Sequence, residues 1–219
     1  MNYVRGRQVV IHDPRLETVL SDAIGPPSDE LWMLGRKAIA PKAWWNLEVD
    51  PKKHKVSEIF AAVALRANIA KMTGIGELDA LHIMAHGTQG AIQLGSDWLH
   101  KPTMSALGKI AGVFRFVIIH SCLVGRPPQG TPAFMTFMTF GGSQFAHKAA
   151  ALTKSTIVVA RQLQYYSVKK HADLNRAELD FGKWDGPVDV YKHGLPVETH
   201  NQIVDDAFNL EKLIFGNTK

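Results

Sequence analysis

Two stretches decide the fold: Leu78 to Gly87, LDALHIMAHG, and Phe114 to Cys122, FRFVIIHSC. Each is an apolar run of strand length that ends abruptly in polar residues, without the strict alternation of a strand that has one wet face. Both therefore read as buried strands of a mostly parallel sheet. His86 directly follows the first, and Cys122 directly follows the second, 36 residues on (122 − 86). Ligands of open α/β sheets bind outside the C-terminal ends of the strands. If these two strands are neighbours, backbone geometry alone brings an imidazole and a thiol to one sheet edge. A thiol nucleophile needs such a base or cation beside it to populate the thiolate.

Working outward, the chain repeats a β-α-β-α rhythm. Gln8 to Ile11 reads as a strand, Arg15 to Ile24 as a helix with apolar residues at i, i+3, i+4, i+7 and i+8, and Leu31 to Leu34 as a second strand. Trp44, Trp45 and Leu47 fit no element. Val56 to Met72 is a strong helix, stopped by Gly74 and Gly76. Gly90 to Leu99 reads as a hairpin turning at Gly95-Ser96, and Thr103 to Gly112 as a short helix. Beyond the second decisive strand come a helix from Gln144 to Leu152 and a strand from Thr156 to Ala160. The tail offers paired strands around Val188–Tyr191 and Leu195–Glu198, then a closing helix from Ile203 to Ile214. Strands separated by helices imply a mostly parallel sheet covered on both faces. With no linker and no repeat, residues 1–219 are expected to form one domain.

Composition limits the function classes. At 46% apolar and 21% charged the chain has the make-up of an ordinary globular protein. No apolar run approaches the ~20 residues of a membrane span. The N-terminal apolar run, Val9 to Ile11, is too short for a signal-peptide core, so a cytoplasmic protein is expected. The single cysteine excludes an intramolecular disulfide and any Cys-rich zinc site. By itself a lone thiol reads as a small buried hydrophobe; its neighbours change that reading. A net charge of +5 invites a nucleic-acid partner, but the tight basic groups at Lys52–Lys55 and Lys169–His171 carry no interleaved aromatics for base stacking. They read as solvated surface, and nucleic acid is not indicated.

Gly87 has its own physical reading. Glycine after the histidine lets the backbone approach a substrate carbonyl closely. Its N–H and that of Cys122 can together form an oxyanion hole for acyl transfer. An ordinary strand-ending turn is the alternative. His82, in the middle of its strand, reads as a satisfied core histidine. The remaining histidines show no metal-ligand spacing.

An apolar strand ending in His-Gly, followed by one ending in a small residue plus Cys, resembles the caspase–hemoglobinase peptidases. The stretch LDALHIMAHGTQGAIQLGSDWL resembles the histidine half as bacterial members carry it, and VFRFVIIHSCLVG resembles the cysteine half. The likeness covers roughly residues 78–160. It implies a caspase-like three-layer sandwich, with a mostly parallel central sheet and helices on both faces. It implies a cysteine endopeptidase in which His86 is the general acid/base and Cys122 the nucleophile that forms a thioester acyl-enzyme. Gly87 and Cys122 would supply the oxyanion-hole amides. His120 and Ser121 fall where relatives line the P1 pocket, and Arg161, Gln162, Leu163 and Gln164 where they bind substrate backbone.

The departures are informative. Relatives with Asp two positions before the cysteine favour basic P1, and those with Gln there help bind acidic P1. His120 fits neither, so P1 is expected to be neutral or apolar. The segment Arg126 to Gly142, rich in Phe and Met, follows the nucleophile and is expected to gate the site or set specificity. Thiol chemistry requires no cofactor or metal, and no acidic loop has calcium-ligand spacing. The expected partner is a protein or peptide substrate, for instance a pore-forming or defence protein activated by limited cleavage. The alternative is a non-catalytic caspase-fold module that binds peptide in the same cleft.

Overall fold

The computed structural model describes residues 7–13, 15, 45–75, 78–126, 141–162, 167–171, 176–180, 186–192, 195 and 197–200. Its centre is a seven-stranded sheet. The elements in chain order are β1 (Gln8–His12), β2 (Trp45–Glu48), α1 (Val56–Met72), β3 (Leu78–Met84), β4 (Gly87–Thr88), β5 (Ala91–Leu94) and β6 (Asp97–Leu99). A 3-10 helix (Met104–Ile110) precedes β7 (Phe114–His120), α2 (Gly142–Thr153), β8 (Thr156–Ala160), β9 (Ser167–His171), β10 (Arg176–Asp180), β11 (Val188–Tyr191) and β12 (Glu198–His200). The large sheet runs β12-β11-β8-β7-β3-β1-β2. Its pairs from β2 to β8 are parallel, and β11 and β12 join antiparallel at one edge. The protein is thus α/β, with a mixed but mostly parallel sheet. Beside it, β4, β5 and β6 form a small antiparallel sheet, and β9 pairs with β10.

The uninterrupted apolar runs follow from burial on both faces. Val9, Ile11, Leu81, Ile83, Val117, Ile119, Ile157 and Val159 share one core with α1, the 3-10 helix and α2. Ala80, Phe116, Ile118, Val158, Ala160, Val188 and Val190 form a second core on the opposite face. Helix α1 buries Val56, Ile59, Phe60, Val63, Ala67 and Ala70, the stripe expected of a 3.6-residue period. The Glu58 carboxylate accepts the Lys55 N–H (2.9 Å) at its start.

Three expectations need correction. Trp45 and Leu47 belong to a strand, the edge strand β2. The second tail strand begins at Glu198, three residues after Leu195, which is 55% exposed and outside the sheet. The β9–β10 hairpin was not foreseen. The expected elements at 15–24, 31–34 and 203–214 lie outside the described residues apart from Arg15, as does 127–140 of the Phe/Met-rich connection. Among the described residues no helix is long and apolar enough to cross a membrane.

Candidate active site

The site grows from the β3–β7 pairing. The register places Met84 opposite His120. Continued two residues past the strand ends, it sets His86 opposite Cys122. The loops keep that proximity: a methyl built on Gly87 would lie 2.6 Å from the Cys122 carbonyl oxygen and 2.8 Å from both Ser121 Cβ and Val124 Cγ2. Only glycine fits there, because the main chain after the histidine rests on the main chain of the cysteine. Cys122, which is in no disulfide, and His86 are both half-buried.

His86 is held at both ends. Its carbonyl accepts the Gln93 N–H at 2.8 Å, tying it to the β4–β5 hairpin. Its Nε2 lies 3.0 Å from the Arg15 carbonyl oxygen. A carbonyl only accepts, so Nε2 carries a hydrogen, and in the neutral ring Nδ1 keeps the lone pair. The Gln93–His86 bond also makes Gly87–Ile92 a non-hydrogen-bonded pair of the antiparallel ladder. That ladder leaves the Gly87 N–H unused.

The chain turns sharply beyond the thiol. Leu123 has φ +59, in the left-handed region that costs a branched residue roughly 1–2 kcal/mol. The conformation is held by Leu123 N–H to Gln162 O (3.0 Å) and Gly125 N–H to Ala160 O (2.8 Å). A methyl on Gly142, the first residue of α2, would lie 2.3 Å from the Gly125 carbonyl carbon, so α2 is seated directly on this turn.

The expected substrate-binding residues divide. His120 and Ser121 are buried. His120 Nε2 shares a hydrogen with His82 Nδ1 at 2.9 Å. Burial pushes both imidazoles down, His82 to about 3, and the neighbouring His82 ring adds to the cost of a charge on His120. Ser121 Oγ meets no hydrogen-bond partner among the described residues. Gln162 is exposed and reaches the cysteine turn through its carbonyl. Leu163 and Gln164 lie outside the described residues.

Arg161 is committed elsewhere. Its Nε donates to Asp189 Oδ2 at 2.7 Å and its Nη2 to Thr199 Oγ1 at 3.0 Å, while Thr199 donates to Asp189 Oδ1 at 2.8 Å. Asp189 is 1% exposed and Arg161 31%. Removing one partner of such a pair strands a buried charge, at a cost of about 3–5 kcal/mol. The Thr199 and Tyr191 hydroxyls still face Asp189. Arg161→Ala is therefore expected to lose about 3 kcal/mol in urea unfolding; an unchanged midpoint would show the pair to be idle.

Two site residues escaped the sequence reading: Asp13 and Arg15, just past β1. The available signal was their position, at the C-terminal edge of the strand next to β3. No protein-family model matches this chain, and no curated protein is significantly similar to it.

Proposed function

We propose that this chain is a cysteine endopeptidase with a caspase-like three-layer sandwich, acting through Cys122 and His86. The observation that carries the reading is the seat of Gly87 on the Cys122 main chain, at the ends of adjacent parallel strands. The fixed Nε2–H of His86 supports it further, because it reserves Nδ1 as the proton acceptor. The Cys122 sulfur attacks the peptide carbonyl carbon, and its proton passes to His86 Nδ1. The carbonyl oxygen gathers charge near the Gly87 and Cys122 N–H groups. His86 then returns the proton to the leaving amine as the C–N bond breaks, leaving a thioester. Water, deprotonated by His86, cleaves the thioester and restores the thiol.

Near the strand ends, among the described residues, Asp13 is paired with Arg15 and Arg161 with Asp189, while buried His120 shares a hydrogen bond with His82. An uncharged P1 residue suits such surroundings. A positional peptide library is expected to show preference for neutral or apolar P1, and strict selection of Arg, Lys or Asp would contradict this. A reducing, cytoplasmic setting suits the lone thiol, and a protein activated by limited cleavage suits an endopeptidase as target. Turnover of a fluorogenic peptide pool by the wild type, set against Cys122→Ala, tests the activity. Equal turnover by the two proteins would leave the fold as a peptide-binding module.

A further inference from the structure

The ring of His86 rests on one main-chain carbonyl, and the structure shows what holds that carbonyl in place. The Asp13 carboxylate, 1% exposed, accepts four hydrogens. Three come from Arg15: its N–H to Oδ1 (3.1 Å), its Nε to Oδ1 (2.8 Å) and its Nη2 to Oδ2 (2.5 Å). The fourth is the Gly95 N–H to Oδ2 at 2.9 Å. Arg15 Nη2 also donates to the Gly95 carbonyl at 2.7 Å. A two-pronged guanidinium–carboxylate contact fixes direction as well as distance. Here it ties Arg15 to Asp13, and the Arg15 carbonyl meets His86 Nε2.

The far side is equally fixed. Gly95, at the tip of the β5–β6 hairpin, has φ +69, and a methyl there would lie 2.1 Å from the His54 carbonyl oxygen. Ser96 donates to that same oxygen through its N–H (2.8 Å) and its hydroxyl (3.1 Å). Asp13 N–H donates to Met84 O at 2.9 Å, two residues before His86. The clamp therefore joins β1, the hairpin tip and the end of β3, and the imidazole sits at its outlet.

We infer that Asp13 and Arg15 are positioning residues, an ion-pair clamp that sets the tautomer and orientation of His86 through the Arg15 carbonyl. Neither side chain needs to touch substrate. The importance of the clamp for cleavage rests on the peptidase reading given above; its effect on the imidazole does not. A neutral His86 with Nε2 protonated keeps its basic nitrogen on Nδ1. When the carbonyl moves, both tautomers become populated and the ring turns. A misplacement of about 1 Å at a catalytic group costs about a hundredfold in rate.

The experiment is nitrogen-15 NMR of histidine-labelled protein, in the wild type, Asp13→Asn and Arg15→Lys, with Cys122 alkylation by iodoacetamide followed against pH. The wild type is expected to show His86 as the Nε2–H tautomer. Asp13→Asn should show mixed His86 tautomers and a moved alkylation profile. Its kcat for peptide cleavage should fall about a hundredfold with KM changed by less than about threefold. Arg15→Lys keeps the charge and the carbonyl but loses the fork, and should fall between the two; it also serves if Asp13→Asn does not fold. A wild-type His86 in the Nδ1–H form would overturn the clamp. So would variants that melt earlier while His86 and the alkylation profile stay unchanged. If no protein cleaves peptide but the tautomer still follows Asp13, the clamp stands and the peptidase reading fails.

Discussion

His86→Ala is expected to slow peptide cleavage by about four orders of magnitude while leaving the protein folded. The size follows from the two tasks one ring performs. It takes the proton from the Cys122 thiol and delivers it to the leaving amine, and removing one member of a concerted catalytic group costs nearly as much as removing all of them. Stability should barely change, because His86 is only half-buried and its ring makes, among the described residues, one hydrogen bond to the main chain. The loss should fall on kcat more than on KM, since the imidazole acts in the transition state. Steady-state kinetics with a fluorogenic peptide, beside a urea melt, separate the two effects. A decrease of less than about tenfold would mean that His86 is not the base.

Acid should unfold this protein between pH 6.5 and about pH 4. His12 and His82 are buried, and loss of hydration lowers His12 to about 4 and His82 to about 3; His120 shifts in the same direction. The unfolded chain keeps the ordinary histidine value near 6.5. A group depressed in the folded state stabilises the fold fully above the unfolded value. As pH falls from there toward the folded value, the unfolded chain takes up protons that the folded one refuses. Each such histidine removes about 1.4 kcal/mol per pH unit. At pH 5, His12 and His82 together account for about 4 kcal/mol, and His120 adds to the loss. Whole domains have only about 5–15 kcal/mol to lose. The urea midpoint is therefore expected to drop steeply from pH 7.5 to pH 5, and less steeply when His82→Leu and His120→Leu are combined. A midpoint flat across this range would contradict the account.

What could be read from the sequence follows the strength of its apolar demands. Strands β3, β7 and β8 and helix α1 were legible almost to the residue, because Leu81, Ile83, Val117, Ile119 and Val159 leave no wet face on which another structure could stand. Strand β2 was not, since Trp45 and Leu47 alternate with Asn46 and Glu48 in only four residues at the sheet edge. For strand β12 the apolar Leu195 and Val197 point to a start three residues early; Leu195 is exposed and Val197 packs against the core from outside the strand. The β9–β10 pair, SVKKH and RAELD, has too few apolar residues to announce a strand.

The same logic applies to the site. His86, Gly87 and Cys122 were legible because strand ends are where a parallel sheet exposes chemistry, and the fold brings Gly87 against Cys122. Asp13 carries no signal of its own in the sequence, and Arg15 reads only as the first residue of an expected helix. Their importance comes from a contact with Gly95, 82 residues away in the chain, which no local pattern encodes. The Arg161 ion pair is hidden in the same way: its partner Asp189 lies 28 residues on, inside a strand that reads as plain apolar.

The central claim is that Cys122 is a nucleophile made reactive by His86. Exposure to a peptidyl chloromethyl ketone with an uncharged P1 residue, followed by intact-mass measurement and peptide mapping, tests it most directly. The account predicts one stoichiometric adduct, on Cys122, forming at least about a hundredfold faster in the wild type than in His86→Ala. No adduct on Cys122, or equal rates in the two proteins, would contradict it.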